Sequence, residues 1–222
     1  MKNFKENFFK FDFDELLPFL NFKRMERKYF GINKDKKDQF KEKFDFFIKK
    51  IKEEKLISVL GLYRFLKAVA KGDSIILKFK RKIYELKFPR QKGGEGLCLA
   101  DFLRDDDFIV FFVLTSGIGV KKRAEKLSED GDFLFAHFLE ILSIEAAEAG
   151  AEVLNKKLGG KRFSFGYQVC PDLSYQKILF EILKPERIGI NLTENYIMEP
   201  EASVSGFIIN NPKAKYFQLE EE

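Results

Sequence analysis

Eight residues, Phe108-Ile109-Val110-Phe111-Phe112-Val113-Leu114-Thr115, constrain this chain more than any other stretch. They carry no charge, are rich in β-branched and aromatic side chains, and sit between Asp105-Asp106-Asp107 and Ser116-Gly117-Ile118-Gly119. A short apolar run between such signals reads as a strand buried at the centre of a sheet. Further strands are read at Ile57–Arg64, at Ser74–Phe79 and Ile83–Phe88 (close enough for a hairpin), and at Val204–Asn210 and Lys215–Leu219. A long helix runs from about Asp132 to Leu158 and stops at Gly159-Gly160. Another spans Leu173–Leu183, with Asp172 as its N-cap. Before the first strand, helices are expected near 14–30 and 34–56, the second capped by Asn33. In it Phe40, Phe44, Phe47, Ile48 and Ile51 recur at helical spacing. Helices and strands mix without strict alternation, so the expected class is α+β: a twisted antiparallel sheet flanked by helices, with an N-terminal helical lobe. Residues 1–56 form the basic lobe and 57–222 the main domain of one compact unit.

Composition narrows the function classes. Among 222 residues, 45% are hydrophobic and 34% charged, which suits a globular chain. No apolar run approaches the roughly 20 residues of a membrane span. The first residues, Met1-Lys2-Asn3-Phe4-Lys5-Glu6, include an acid and lack a small-residue cleavage site, unlike a secretory signal. Cys98 and Cys170 are the two cysteines, with no second pair for a thiolate zinc site, and this points to a reducing cytoplasm. Residues 1–56 hold 16 Lys/Arg against 11 Asp/Glu, whereas 57–222 hold 24 of each. The whole excess of +5 is therefore N-terminal. Interleaved with phenylalanines, it suits either a nucleic-acid or scaffold surface or the wet face of amphipathic helices.

Several constellations bear on chemistry. Gly117-Ile118-Gly119 lies where a dinucleotide fingerprint would, but Lys122 replaces the third glycine. His137 is the only histidine, which excludes a multi-histidine metal site and leaves hydrolase chemistry poorly supported. With Phe133, Ile141 and Ile144 it falls on one helix face, as a packed or rim residue. Glu145, Glu148 and Glu152 stack on one side of the same helix, where a cation must relieve their repulsion: solvent-facing lysines, or a cationic ligand group. Cys170, before Pro171, reads as a small buried filler.

The richest stretch is Arg162-Phe163-Ser164-Phe165-Gly166-Tyr167-Gln168-Val169-Cys170-Pro171-Asp172. Arginine can grip a carboxylate through two hydrogen bonds. Gly166 lets a ligand approach the backbone, and Tyr167 offers a flat face and a hydroxyl. Such a set suits a small ligand with a carboxylate and an aromatic base. A turn packed by aromatics before a capped helix would look the same.

Beyond this, residues 57–219 resemble the C-terminal activation domain of cobalamin-dependent methionine synthase, the module that binds S-adenosylmethionine. The likeness rests on Arg162, Gly166-Tyr167 and Cys170-Pro171-Asp172, on Leu192-Thr193-Glu194, on Glu199-Pro200-Glu201-Ala202-Ser203-Val204-Ser205-Gly206, and on Asn211-Pro212-Lys213-Ala214-Lys215-Tyr216-Phe217. Ala147-Glu148-Ala149, Gly61-Leu62-Tyr63, Gly72-Asp73 and Leu99-Ala100-Asp101-Phe102 agree in order and spacing. The resemblance implies that Arg162 pairs with the ligand carboxylate and that Gly166, Tyr167 and Ser164 line the pocket. It implies contacts from Tyr216 and Phe217, and a Glu148 that favours the ammonium or sulfonium charge. It implies reactivation of oxidised cobalamin: a flavodoxin-type donor supplies an electron to cob(II)alamin, and S-adenosylmethionine supplies a methyl group. No residue need then act as acid, base or nucleophile, so the chain is expected to be a component of the synthase, not catalytic alone.

The likeness also has gaps. An early ligand-contacting aspartate of the family has only Asp14 as a weak counterpart. The loop before Arg162 is short. Around His137, Phe135 and Glu140 stand where the family's cobalamin signature, Asp-x-His-x-x-Gly, has Asp and Gly. The expectation is therefore action in trans on a separate cobalamin-bearing methionine synthase chain, with the basic N-terminal lobe as a docking surface. The rival readings are an S-adenosylmethionine-dependent methyltransferase on another substrate, and the basic nucleic-acid or scaffold protein.

Overall fold

A computed structural model describes residues 5–30, 37–104 and 107–220. The expected N-cap Asn33, the side chain of Phe40 and the Asp105-Asp106 boundary lie outside the described residues. The centre is the strand Asp107–Thr115, here β5, with every residue from Phe108 to Thr115 buried. Its side chains alternate between two cores. Phe108, Val110, Phe112 and Leu114 enter one, and Ile109, Phe111 and Val113 enter the other, as the period-2 geometry of a strand dictates.

The remaining strands, in chain order, are β1 (Glu6–Asp12), β2 (Ser58–Lys71), β3 (Ser74–Phe79), β4 (Lys82–Lys87), β6 (Lys161–Phe163), β7 (Asn191–Leu192), β8 (Met198–Glu199) and β9 (Ser203–Ile209). The main sheet is ordered β4-β3-β2-β5-β9-β6, with β1 also on β2. Every ladder is antiparallel, and β7–β8 form a separate hairpin. Strand β2 is long enough to hold two neighbours along one edge, β1 at residues 58–64 and β3 at residues 68–71.

Six α-helices complete the described residues: α1 (Phe13–Leu16), α2 (Phe22–Lys28), α3 (Lys37–Glu53), α4 (Val120–Glu129), α5 (Phe133–Leu158) and α6 (Tyr175–Leu183). Helix α5 is buried on most of its circumference. It packs between the sheet and helices α1 to α4, through a core that joins Leu16, Met25, Phe44, Phe47 and Ile51 to Phe135, Phe138 and Leu142. Phe47 stacks on Phe135 at 4.8 Å between ring centres. Helix α6 covers the opposite face. The class is thus α+β, as the sequence indicates. No helix of the described residues is long and apolar enough to cross a membrane.

Three expectations are corrected. Residues 14–30 are not one helix: Pro18 sits in a 3-10 turn between α1 and α2, and the segment before them is β1. The alternation of Phe9 and Phe11 with Lys10 and Asp12 there is satisfied only by pairing with β2. Residues 215–219 are not a strand; this tail is held through loop contacts, including Lys92 N–H to the Leu219 carbonyl at 2.8 Å. The N-cap of α6 is Ser174, and Asp172 instead accepts the Ser174 N–H at 2.8 Å, an aspartate turn that begins two residues before the cap.

A buried carboxylate on α5 is paired from the N-terminal helices. Arg24 on α2 donates from Nε and Nη2 to the two oxygens of Glu145 at 2.8 and 2.7 Å. The Glu145 side chain is only 1% exposed. Removing one partner of such a pair strands a charge away from water. Arg24→Ala is therefore expected to lower unfolding free energy by about 3 kcal/mol in urea denaturation, and Arg24→Ala with Glu145→Leu to recover most of that loss.

Candidate functional site

The acids that the sequence places on one helix face are neutralised by arginines. Glu145 belongs to Arg24. One turn on, Arg162 Nη2 donates to Glu148 Oε2 at 3.1 Å and to Glu152 Oε1 at 2.8 Å. Glu148 lies between the two cations, for its charge also helps to raise the Arg24 pKa, after the larger effect of the hydrogen bond to Glu145. The cation required by the carboxylate stripe is therefore present within the protein.

Arg162 occupies β6, the edge strand, opposite Ile208 of β9. Its side chain, 18% exposed, lies on the α5 face of the sheet. Phe163, next in the strand, points to the other face and stacks on Phe207 at 5.7 Å. So short a strand reaches the sheet only because β9 presents Gly206 there: a Cβ on that glycine would stand 2.2 Å from the Phe163 carbonyl oxygen.

Beyond the edge, the loop turns back on itself. Gly166, at φ +85°, donates its N–H to the Cys170 carbonyl at 2.8 Å, and Cys170 N–H bonds the Tyr167 carbonyl at 2.7 Å. The left-handed backbone at Gly166 is the conformation that glycine alone adopts freely. It leaves Tyr167 58% exposed. Tyr216 comes from the C-terminal tail and packs on Phe163 at 4.9 Å. Burial pushes its phenol pKa up, while a backbone hydrogen bond at Ser164 and the Arg162 charge pull against that. The ammonium of Lys161 lies 5.5 Å from the same ring.

The structure thus gathers Arg162, Ser164 and Tyr216 around the β6 edge, with Glu148 and Glu152 on the α5 side and the Gly166–Tyr167 turn beyond. Phe217 goes elsewhere: its ring meets Phe102 at 6.4 Å, so the two C-terminal aromatics diverge. Asp14 pairs with Lys52 at 2.6 Å, with a side chain 78% exposed. His137 is exposed and meets Phe30 edge-on at 5.3 Å. The Gly117–Gly119 turn is closed by Pro200 and Ala202 against Gly117. Among the described residues no group of three His, Cys, Asp or Glu could hold a metal ion.

Sequence reasoning missed the residues that hold the tail in place. Asn211, 8% exposed, donates to the Phe102 carbonyl at 2.8 Å. Arg90 clamps the facing loop through Asp73 at 2.7 Å and Asp101 at 2.8 and 2.9 Å, and its hydrogen bonds hold the Asp101 carboxyl below its ordinary pKa. The Asn210-Asn211-Pro212 run was the available signal for the first; nothing local marks the second.

Two outcomes follow from this geometry. Gly206→Ala is expected to lose about 1–3 kcal/mol, the usual range for overpacking, in chemical denaturation, because the new methyl must push β6 away. Both thiols are unpaired and buried. Burial, aided by the Asp172 charge, pushes Cys170 up to about 12, and burial also raises Cys98. At pH 8 the native protein is expected to show no fast-reacting thiol toward a disulfide reagent, and two after denaturation.

The comparisons with known proteins converge on one family. A family model described as vitamin B12 dependent methionine synthase, activation domain, matches residues 16–161 and 153–221. Methionine synthase of Mycobacterium tuberculosis H37Rv is 30% identical over 202 residues, covering 71% of this chain and 17% of that protein. The Mycobacterium leprae enzyme is 28% identical over the same length and shares. The chain therefore spans about a sixth of the synthases it matches. A crystal structure of the MetH reactivation domain bound to AdoHcy has the same fold, with a TM-score of 0.78 at 21% identity, over 98% of this chain and 82% of that one. The likeness reaches further toward the N-terminus than residue 57, for the family model matches from residue 16 and the structural match covers 98% of the chain. This chain belongs to the activation-domain family of vitamin B12 dependent methionine synthase.

Proposed function

We propose that this protein binds S-adenosylmethionine and supports reductive methylation of cob(II)alamin on a separate cobalamin-bearing methionine synthase chain, using an electron from a flavodoxin-type donor. The observation that carries the reading is the position of Arg162. It is a guanidinium at an open sheet edge, with carboxylates on one side and an aromatic ring, Tyr216, on the other. Both of its bonds to Glu148 and Glu152 leave from Nη2, whereas a guanidinium has five N–H donors. It therefore has the capacity to grip a ligand carboxylate as well. The likeness to a reactivation domain that holds AdoHcy supports this ligand class.

In this reading Glu148 faces the ammonium or sulfonium charge, and Ser164, Gly166 and Tyr167 line the cleft through exposed backbone and a flat ring. Tyr216 packs against the base or ribose. Phe217 contributes by anchoring the tail on Phe102. When bound, S-adenosylmethionine supplies the methyl group and the partner's corrinoid receives it. The residues here orient and hold; none is asked to transfer a proton, and the contribution is one of position and charge. The corrinoid is assigned to another chain because His137, flanked by Phe135 and Glu140, lies near the start of α5 with its ring against Phe30. We read residues 1–56 and 57–222 as one compact unit, on the ground of the β1–β2 ladder and the common core, and place it in the cytoplasm on its two unpaired thiols.

Calorimetric titration with S-adenosylmethionine tests the proposal. Wild-type protein is expected to bind, and Arg162→Ala to bind about ten- to a hundredfold more weakly, the range for a hydrogen-bonded charge. No binding by the wild type would sink the reading.

A further inference from the structure

The same arginine carries more than one partner, and the two acids on it are not equivalent. Glu148 is 37% exposed and Glu152 49%. Glu148 feels Arg24 as well as Arg162, so its charge is compensated from two directions. Glu152 holds Arg162 through the shorter bond, 2.8 Å, from the last full turns of α5. A half-exposed carboxylate that gives up an ion pair returns to water with little penalty. A less exposed one flanked by two cations has more to lose.

We infer that Glu152 is an internal competitor for Arg162: it holds Nη2 in the free protein and yields that donor to the ligand carboxylate, whose two-pronged grip takes Nη2 together with a neighbouring N–H. This rests on the ligand reading proposed above and adds to it a residue that sets affinity and selectivity. The exchange is balanced: one carboxylate–guanidinium contact is replaced by another, and the Glu152 carboxylate gains the water that the ligand carboxylate gives up. Glu148 stays in place for the cationic part of the ligand. The competition acts only on ligands that carry a carboxylate, and that selectivity is its signature.

The test compares S-adenosylmethionine with its decarboxylated analogue, which keeps the sulfonium, the amine and the nucleoside. Glu152→Gln is expected to raise the preference for the carboxylate-bearing ligand by about two- to fivefold, the scale of an exposed ion pair. Glu152→Ala, which cannot accept from Arg162 at all, should do the same, and circular dichroism verifies that both variants are folded. Taking the ratio of the two affinities removes any general loss from deleting a negative charge near a cationic ligand. An unchanged or lowered ratio, with wild-type binding intact, overturns the competition and leaves the ligand assignment standing. Failure of the wild type to bind either compound overturns both.

Discussion

Burial of β5 on both faces is the constraint from which the remaining architecture follows. A strand whose residues alternate between two dry cores cannot lie at an edge, so it needs β2 on one side and β9 on the other. Each face then needs its own cover, supplied by α5 with the N-terminal helices and by α6 with the loop around Leu99–Leu103. The sheet ends at β6 with three residues. Beyond Phe163 the chain is free to turn through Gly166, and the Arg162 side chain lies at the sheet edge on the α5 face.

The treatment of charge on α5 follows the same logic. Three carboxylates along one helix repel one another, and one of them, Glu145, is buried. Burying an unpaired anion is prohibitive, so it must bring its own cation. Arg24 provides it from a segment 121 positions earlier. Arg162 serves the other two from the neighbouring strand. One arginine completes the fold, and the other, bonded through Nη2 alone, is left with donors for something else.

How much of this could be read in advance depended on the range of the interaction concerned. The β3–β4 hairpin, β5, α5 and its Gly159 stop were legible because periodicity, turn residues and caps are local. The strand β1 was not, since Phe8 to Phe11 reads as well for an amphipathic helix until β2 is beside it. At the site, Arg162 and the Gly166 turn stood out by residue type. The pairing of Tyr216 with Phe217 did not survive as a shared contact, because neighbouring residues in an extended tail face opposite ways and one ring found Phe163, the other Phe102. Arg24 and Arg90 were invisible: a surface-like arginine declares its acid only when distant elements meet.

By itself, the order of residues determined the fold class, the position of the central strand and the residue types that mark the candidate site. Those properties follow from hydrophobic alternation, from backbone freedom at glycine and from which side chains bear permanent charge. Tertiary structure alone decided which carboxylate each arginine serves, and which aromatic lies beside the edge strand. Coulomb attraction and ring packing act over a few ångströms of space, and no spacing along the chain encodes what folding brings within that distance.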